Sequence, residues 1–446
     1  MTIEQLENQL NDFSADARAS ALAELAAKVA SGEIEVPAVK QEVNLHFHTF
    51  FSYNAYDWSP ERIAWEARKY GLAVAGIVDF DVLDGMESFL RAGEVIGVRA
   101  TAAMETRVLI PEYADKVINS PNEPGICYFM AGGCFENPET GARSAEILQS
   151  MRDMARRRNS RVLERVNEYL DVVRLDYDGD VLPLTPSGNA TERHMLAAYD
   201  AKAREAFGDS GELARFWAKA LAISDDDAAA LIVDTPALHE KMRSKLMKFG
   251  GVGYVAPDSE TFPTIDTVIE MTVGIDALPT MTWLDGTSDG ESDMPALLGL
   301  VVEKGVVALN IVPDRNWNIR NPDEKRVKIE NLGKVVRAAK HLDLPLCVGT
   351  ELNKLGLPFV DDFAAPELAP YVPNFLEGAH FFWGHTLLAR KAGIGFASKW
   401  ADAHFGSDRA AKNAFYAKVG RLAGPGALAE GADLRAATPS EVMAAL

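Results

Sequence analysis

Val43-Asn44-Leu45-His46-Phe47-His48 alternates apolar and polar side chains at every step. That period belongs to a strand, where residues two apart point to the same side, about 7 Å apart along the backbone. His46 and His48 therefore project together, and two parallel imidazoles make half of a metal site. Taken alone, the pair reads equally well as two hydrogen-bonded histidines on a half-buried strand. The rest of the chain has to decide between these readings.

Outward from this stretch the pattern is strand, loop, helix, repeated. Ser59-Pro60-Glu61 carries an N-cap, a proline at the first helical position and an acid in the first turn, and its helix is expected to end at Gly71. Residues 72–80, LAVAGIVDF, form a nearly continuous apolar run, as a parallel strand covered on both faces requires. Asp84-Gly85-Met86-Glu87 reads as a capping box opening the next helix. A third strand over 98–110 places Glu105 and Arg107 on one parity. Such alternation implies a parallel sheet, either a barrel or doubly wound.

Residues 112–260 interrupt the alternation with one strand-like segment, ICYFMAGG, and then long helical stretches. Six arginines in that region (152, 156, 157, 158, 161 and 165) read as a solvated helix face balanced by Glu164 and Glu168. Strands return at 274–283, 305–313 and 344–352, with an amphipathic helix over 324–342. The expected partition is a helical arm (1–40), packed on the main domain or on another subunit, and a first barrel part (41–111). A mainly helical insertion (112–260), a second barrel part (261–400) and a helical tail (401–446) follow.

The chain has 446 residues, 48% of them hydrophobic, enough for a large core. No apolar run is long and charge-free enough to span a membrane, and the acidic, polar N-terminus lacks a signal-peptide core. Cys127, Cys134 and Cys347 show neither disulfide nor zinc spacing, which fits a reducing cytoplasm. A net charge of −20 argues against nucleic acid or anionic membrane as partner. A small anionic substrate requires a metal or local arginines to reverse the field at the site. A homo-oligomer is compatible with the sequence.

In α/β barrels and sheets, reactive groups gather at the C-terminal ends of strands. The clusters so placed are His46 with His48, Asp79 with Asp81, Glu105, and Glu351 with Asn353. Histidines plus carboxylates from separate strands suit a divalent ion such as Mn, Fe or Zn. Asp79 and Asp81 alone would read as loop solvation and helix capping, whereas Glu105 stands within an apolar strand, where an unpaired carboxylate is costly. His194 either touches backbone at a helix start or faces the barrel mouth with Arg193. The loop 285–290 reads as a solvated turn, and His239, His341, His380, His385 and His404 show no ligand spacing.

The order of these segments resembles the polymerase and histidinol phosphatase (PHP) family, in its phosphoesterase and amidohydrolase-like branch. Asn44-Leu45-His46-Phe47-His48-Thr49…Ser52 stands for its D-x-H-x-H-T…S, and Val78-Asp79-Phe80-Asp81-Val82-Leu83-Asp84-Gly85 for T-D-H-D-x-x-x-G. Ala103-Met104-Glu105 stands for G-x-E, Arg193-His194-Met195-Leu196-Ala197 for R-x-H-x-A, and Gly349-Thr350-Glu351-Leu352-Asn353 for G-S-D-x-H. GGVGYVAP at 250–257 is similar to the segment leading out of the family's insertion. The resemblance runs through residues 42–360 in order. Histidines of the pattern are replaced by Phe80, Leu278 and Asn353, so a three-metal cluster cannot be built.

The resemblance implies an α/β fold: a distorted (β/α)7 TIM-like barrel with a helical insertion and helical terminal extensions. It implies a reduced site of one or two divalent ions on His46, His48, Glu105 and Glu351, the four converging within about 5 Å of one point. Asp79 and His194 would be catalytic, and Arg193 and Asn353 would hold substrate. Phe80 and Leu278 would fill space left by missing ligands. The implied activity is metal-dependent hydrolysis of a small anionic phosphate ester. The alternatives are a barrel that has lost catalysis and binds a small molecule or a partner, and a metal-dependent carbon–nitrogen hydrolase.

Overall fold

Strands covered on both faces are rich in apolar side chains, and any polar group they bury needs a partner. In the computed structural model, which describes residues 1–258 and 260–446, seven strands are almost wholly buried, and Asn44, His46, Glu105 and Asn310 are among the polar residues they bury. The strands are β1 (Val43–Phe47), β2 (Val74–Phe80), β3 (Ala100–Leu109), β4 (Ile126–Cys134), β5 (Leu278–Trp283), β6 (Ala308–Ile311) and β7 (Leu346–Val348). The spatial order is the sequence order. Phe47 and Glu351 bridge the two outer strands: Glu351 N–H donates to the His46 carbonyl at 2.8 Å and His48 N–H to the Glu351 carbonyl at 2.9 Å. The sheet thereby closes into a TIM-like barrel, and β1 and β7 bring their ends together at the rim.

β4 departs from the expected pattern. It lies within the stretch assigned to the insertion, yet it is a barrel strand, antiparallel to both β3 and β5. The helical excursion begins at α5 (Arg143–Leu170), after α1 (Ile3–Gln9), α2 (Ala15–Ala30), α3 (Pro60–Tyr70) and α4 (Met86–Ile96). α5 serves two cores. Ile147 and Met151 pack into the barrel core, while Val162, Val166 and Leu170 join a separate cluster with Tyr199, Trp217 and Leu246. At 28 residues it is about 42 Å long, enough to reach from one core to the other.

The N-terminal arm is part of the barrel body. Leu6, Leu10, Leu22 and Leu25 are buried in the barrel core, and Arg18 and Glu61 form a buried ion pair at 2.8 Å. α3 starts on the Ser59 cap and ends on Gly71 in the left-handed region (φ 87°), as its sequence indicates. α4 lacks the expected capping box; its N-cap is Gly85, with no side-chain cap, and Asp84 faces Arg152 at 3.7 Å.

The helix Val372–Ala392 closes the end of the barrel opposite the rim. Thr386 Oγ1 meets Thr101 Oγ1 (3.1 Å) at the start of β3, and His385 Nε2 meets the Gly133 carbonyl (3.0 Å) at the end of the reversed β4. Leu278 also sits at this floor, against Gly133. It therefore does not fill a ligand position at the rim, where Trp283 ends β5. The expectation that Leu278 fills space left by a missing ligand fails because it stands at the start of β5, at the far end of the strand from the rim.

A methyl group at Gly378 would land on the Leu346 backbone, where this floor helix meets β7. Gly378→Ala is therefore expected to destabilise the fold by about 1–3 kcal/mol, read as a lower urea midpoint, while metal affinity at the distant rim stays unchanged.

Candidate metal centre

β1 aims His46 and His48 into the barrel mouth, both fully buried, with ring centroids 5.3 Å apart. β3 brings Glu105 from the far side of β2, in register with Phe80. Glu105 Oε2 lies 3.7 Å from His46 Nε2 and 3.5 Å from His48 Nε2. Ligand atoms of the three residues all fall within 4.8 Å of one another. Two ligands bound tetrahedrally to one zinc-sized ion lie about 3.4 Å apart, so the spacing fits.

The tautomers are set from behind. Ser52 Oγ donates its single proton to Asp79 Oδ1 at 2.6 Å, so toward His48 Nδ1 (3.1 Å) it can only accept. His48 therefore carries its proton on Nδ1. Asn310 Nδ2 donates to Thr282 Oγ1 at 3.1 Å, which leaves its carbonyl oxygen for His46 Nδ1 at 3.3 Å. In its neutral form each ring thus turns an Nε2 lone pair toward Glu105. Among the described residues His46 Nε2, His48 Nε2 and Glu105 Oε2 are all buried without a hydrogen-bond partner. Three such atoms facing one point are costly unless a proton on His46 or a metal ion joins them.

The other expected site residues are placed differently. Glu351 stands at the rim with φ 70°, but its carboxylate is held by Arg315 at 3.1 Å, outside the three-residue cluster. Burial alone would raise its pKa, yet Arg315 and the two histidines hold it down at about 2. Asp79 does not face the cavity above the rim. It accepts from Thr49 N (2.9 Å), Thr49 Oγ1 (2.7 Å) and Ser52 Oγ, and so positions the loop that holds His48 from behind. His194 is spent as a helix cap, its Nδ1 accepting from Thr191 N–H at 3.0 Å, and its ring lies edge-on to Tyr53. Burial drives its pKa to about 4, so it stays neutral. Arg193 and Asn353 do line the cavity, with Arg193 paired to Glu240 at 2.8 Å. Phe80 stacks on His48 (centroids 4.8 Å, 16°) and occupies space beside the centre, as expected.

The cavity, of about 160 Å³, lies between the rim and the insertion. Asn189 of the insertion latches onto the rim by donating to the Phe80 carbonyl at 2.8 Å. Among the described residues its wall carries six cations (Arg107, Arg158, Arg193, Arg243, Lys248 and Arg315) against five carboxylates. The local field is thus reversed relative to a chain of net charge −20. Ser52, Asn310, Arg158 and Arg315 had not been singled out as site residues. Asn310 had a readable signal, a lone amide inside the apolar run of β6.

No protein-family model matches this chain, and no curated protein matches it. Among solved structures, a protein provisionally named a metal-dependent phosphoesterase, from Bifidobacterium adolescentis, is 18% identical, with a TM-score of 0.46 over 75% of this chain and 97% of its own. An amidohydrolase from Chromobacterium violaceum, solved with bound sulfate and no metal, is 15% identical, with a TM-score of 0.47 over 76% and 96%. At those identities no residue role passes from either protein to this one. Among the described residues no helix is long and apolar enough to cross a membrane.

Removing the acceptor behind His48 with Ser52→Ala is expected to weaken metal affinity about 10–100-fold, measured by competition with a chromophoric chelator. The pH dependence follows from His46. Burial pushes its pKa down, but the adjoining Glu105 carboxylate outweighs burial and holds it above the usual histidine value. Without a cation, that proton stabilises the fold fully below the unfolded pKa and ceases to as pH rises through the folded one. A cation must displace it, so affinity should rise about tenfold per pH unit until the folded His46 pKa is passed, and then level off.

Proposed function

We propose that this chain is a metal-dependent hydrolase acting on a small phosphate ester. The observation that carries the reading is the convergence of three buried, unpartnered ligand atoms, His46 Nε2, His48 Nε2 and Glu105 Oε2, beneath a cation-lined cavity. The order of segments shared with the PHP family supports the same reaction class. A divalent ion held by those residues supplies a Lewis acid and lowers the pKa of the water it holds. One ion is the count the side chains favour, because Phe80 covers the face of His48 and Glu351 is engaged by Arg315.

The chain's own residues then divide the remaining work. Arg315 and Arg193 stand in the wall and offer donors to an anionic substrate. Asp81 takes the part expected of Asp79. It lines the cavity, its carboxyl accepts from Thr106 Oγ1 at 2.6 Å, and burial raises its pKa toward the range useful for carrying a proton. Asn189 holds the insertion over the rim and so limits access of bulk water.

Purified protein is expected to hold about one Mn, Fe or Zn ion per chain by elemental analysis, and to hydrolyse aryl phosphates but not aryl amides. Glu105→Gln and His48→Ala should lose both the ion and the activity while keeping their circular dichroism spectra. An ion-free, inactive wild type would leave a binding scaffold, and turnover confined to the amides would leave a carbon–nitrogen hydrolase.

A further inference from the structure

Arg158 is a cavity cation to which the proposed hydrolysis gives no part. It sits on α5, within the run expected to be a solvated face. Its neighbours there do find surface partners, Arg156 on Asp178 and Arg161 on Glu260. Arg158 instead turns into the cavity wall. Among the described residues its one hydrogen bond runs from Nη1 to the Thr261 carbonyl at 3.1 Å, and no carboxylate lies within ion-pairing distance. Its guanidinium lies 4.7 Å from the Phe262 ring centroid, and that of Arg107 lies 4.4 Å from the same ring. Arg107 is paired with Glu123, whereas Arg158 feels carboxylates only at a distance and keeps most of its guanidinium donors free, so a buried cation here stands without a direct counter-anion. Burial, then the charge of Arg107, pulls the Arg158 pKa down to about 10, although Asp81, Glu192 and Glu123 act in the opposite direction from further away.

Register places this pair relative to the metal centre. Arg107 follows Glu105 by two residues on the same face of β3, so its backbone stands about 7 Å further out. It pairs across the ladder with Tyr128, another wall residue, and its Nη1 donates to Glu123 (2.7 Å, an ion pair) and to Ser120 Oγ (3.4 Å).

We infer that Arg158 and Arg107 form a second anion subsite, and that the substrate carries two anionic groups, one reacting at the rim and one held beneath the insertion. The binding half of this inference stands without the hydrolase reading; the substrate half rests on it. A carboxylate or a second phosphate satisfies the subsite chemistry equally, because both accept paired guanidinium donors.

Two arms test it. In the first, metal-free protein is titrated with inorganic phosphate by calorimetry. Wild type should bind, Arg158→Gln should bind about 30-fold or more weakly, and a His46→Ala/His48→Ala variant should bind as wild type does. Arg158→Met should also melt higher than wild type without phosphate, since an unpaired cation has been removed, and should lose the phosphate-induced rise. Absent binding by wild type, or equal binding by Arg158→Gln, would overturn the subsite. In the second arm, zinc-loaded protein is offered phenyl phosphate and 4-carboxyphenyl phosphate. A higher kcat/KM for the carboxylated ester that collapses in Arg158→Gln supports the two-anion substrate. No preference, or one that survives the substitution, overturns it and leaves a site for free anions. Failure of both esters to turn over, with the first arm positive, counts against the hydrolase reading and not against the subsite.

Discussion

The rim depends on a carboxylate that never reaches it. Asp79 ends β2 beneath the loop that follows β1 and gathers three donors from that loop, two of them from Thr49 and the third from Ser52. The third bond has the widest effect. Because Ser52 spends its only proton on Asp79, it must accept from His48, and the imidazole is left with its lone pair facing inward. Burial still pushes Asp79 up to about 6, so three hydrogen bonds do not fully offset its removal from water. A cost of this kind is sustained where geometry must be held closely, since a first ligand is only as well placed as the groups behind it.

Much of this was open to a reader of the sequence, because strand periodicity is strict. A two-residue repeat puts His46 and His48 on one side whatever the fold, and a lone acid in an apolar strand, such as Glu105, must find a partner. What escaped was register and facing. Asp79 and Asp81 are equivalent as letters, yet the first turns to the β1 loop and the second to the cavity. Leu278 stands at a histidine position of the resembled pattern, yet it lies on the barrel floor. β4 was recognised as a strand but not as a barrel member, because its direction is set by pairing partners far away in sequence. α5 was read as having one polar face, although a helix that passes from one core to another meets a different environment at each turn. Arg158 sits where that environment changes.

Charge links the two halves of the molecule. The surface is strongly acidic, which repels anions at long range, yet the cavity wall collects cations from β3, from the insertion and from the loop after β6. Most of these are paired: Arg243 and Lys248 share Glu192, and Arg193 takes Glu240. Such pairs orient donors without adding net charge. Specificity then falls to the few cations that keep free donors, and these come from different segments, so that a bound anion would tie the insertion to the barrel.

Phe80 does more than occupy space beside the centre. The phenyl ring covers one face of His48 and excludes water from it. Burial, then the neighbouring charge of His46, drives the His48 pKa down to about 3. His48 therefore remains a neutral, unprotonated donor well into acid, while His46 carries whatever proton the pair with Glu105 holds. With Glu351 neutralised by Arg315, a dication at this centre meets one carboxylate and two neutral rings, and an excess of positive charge remains at the rim. A centre richer in carboxylates would cancel that excess. A short ligand set would therefore leave this site more attractive to an anion, and one ion here would be an electrostatically coherent arrangement in its own right.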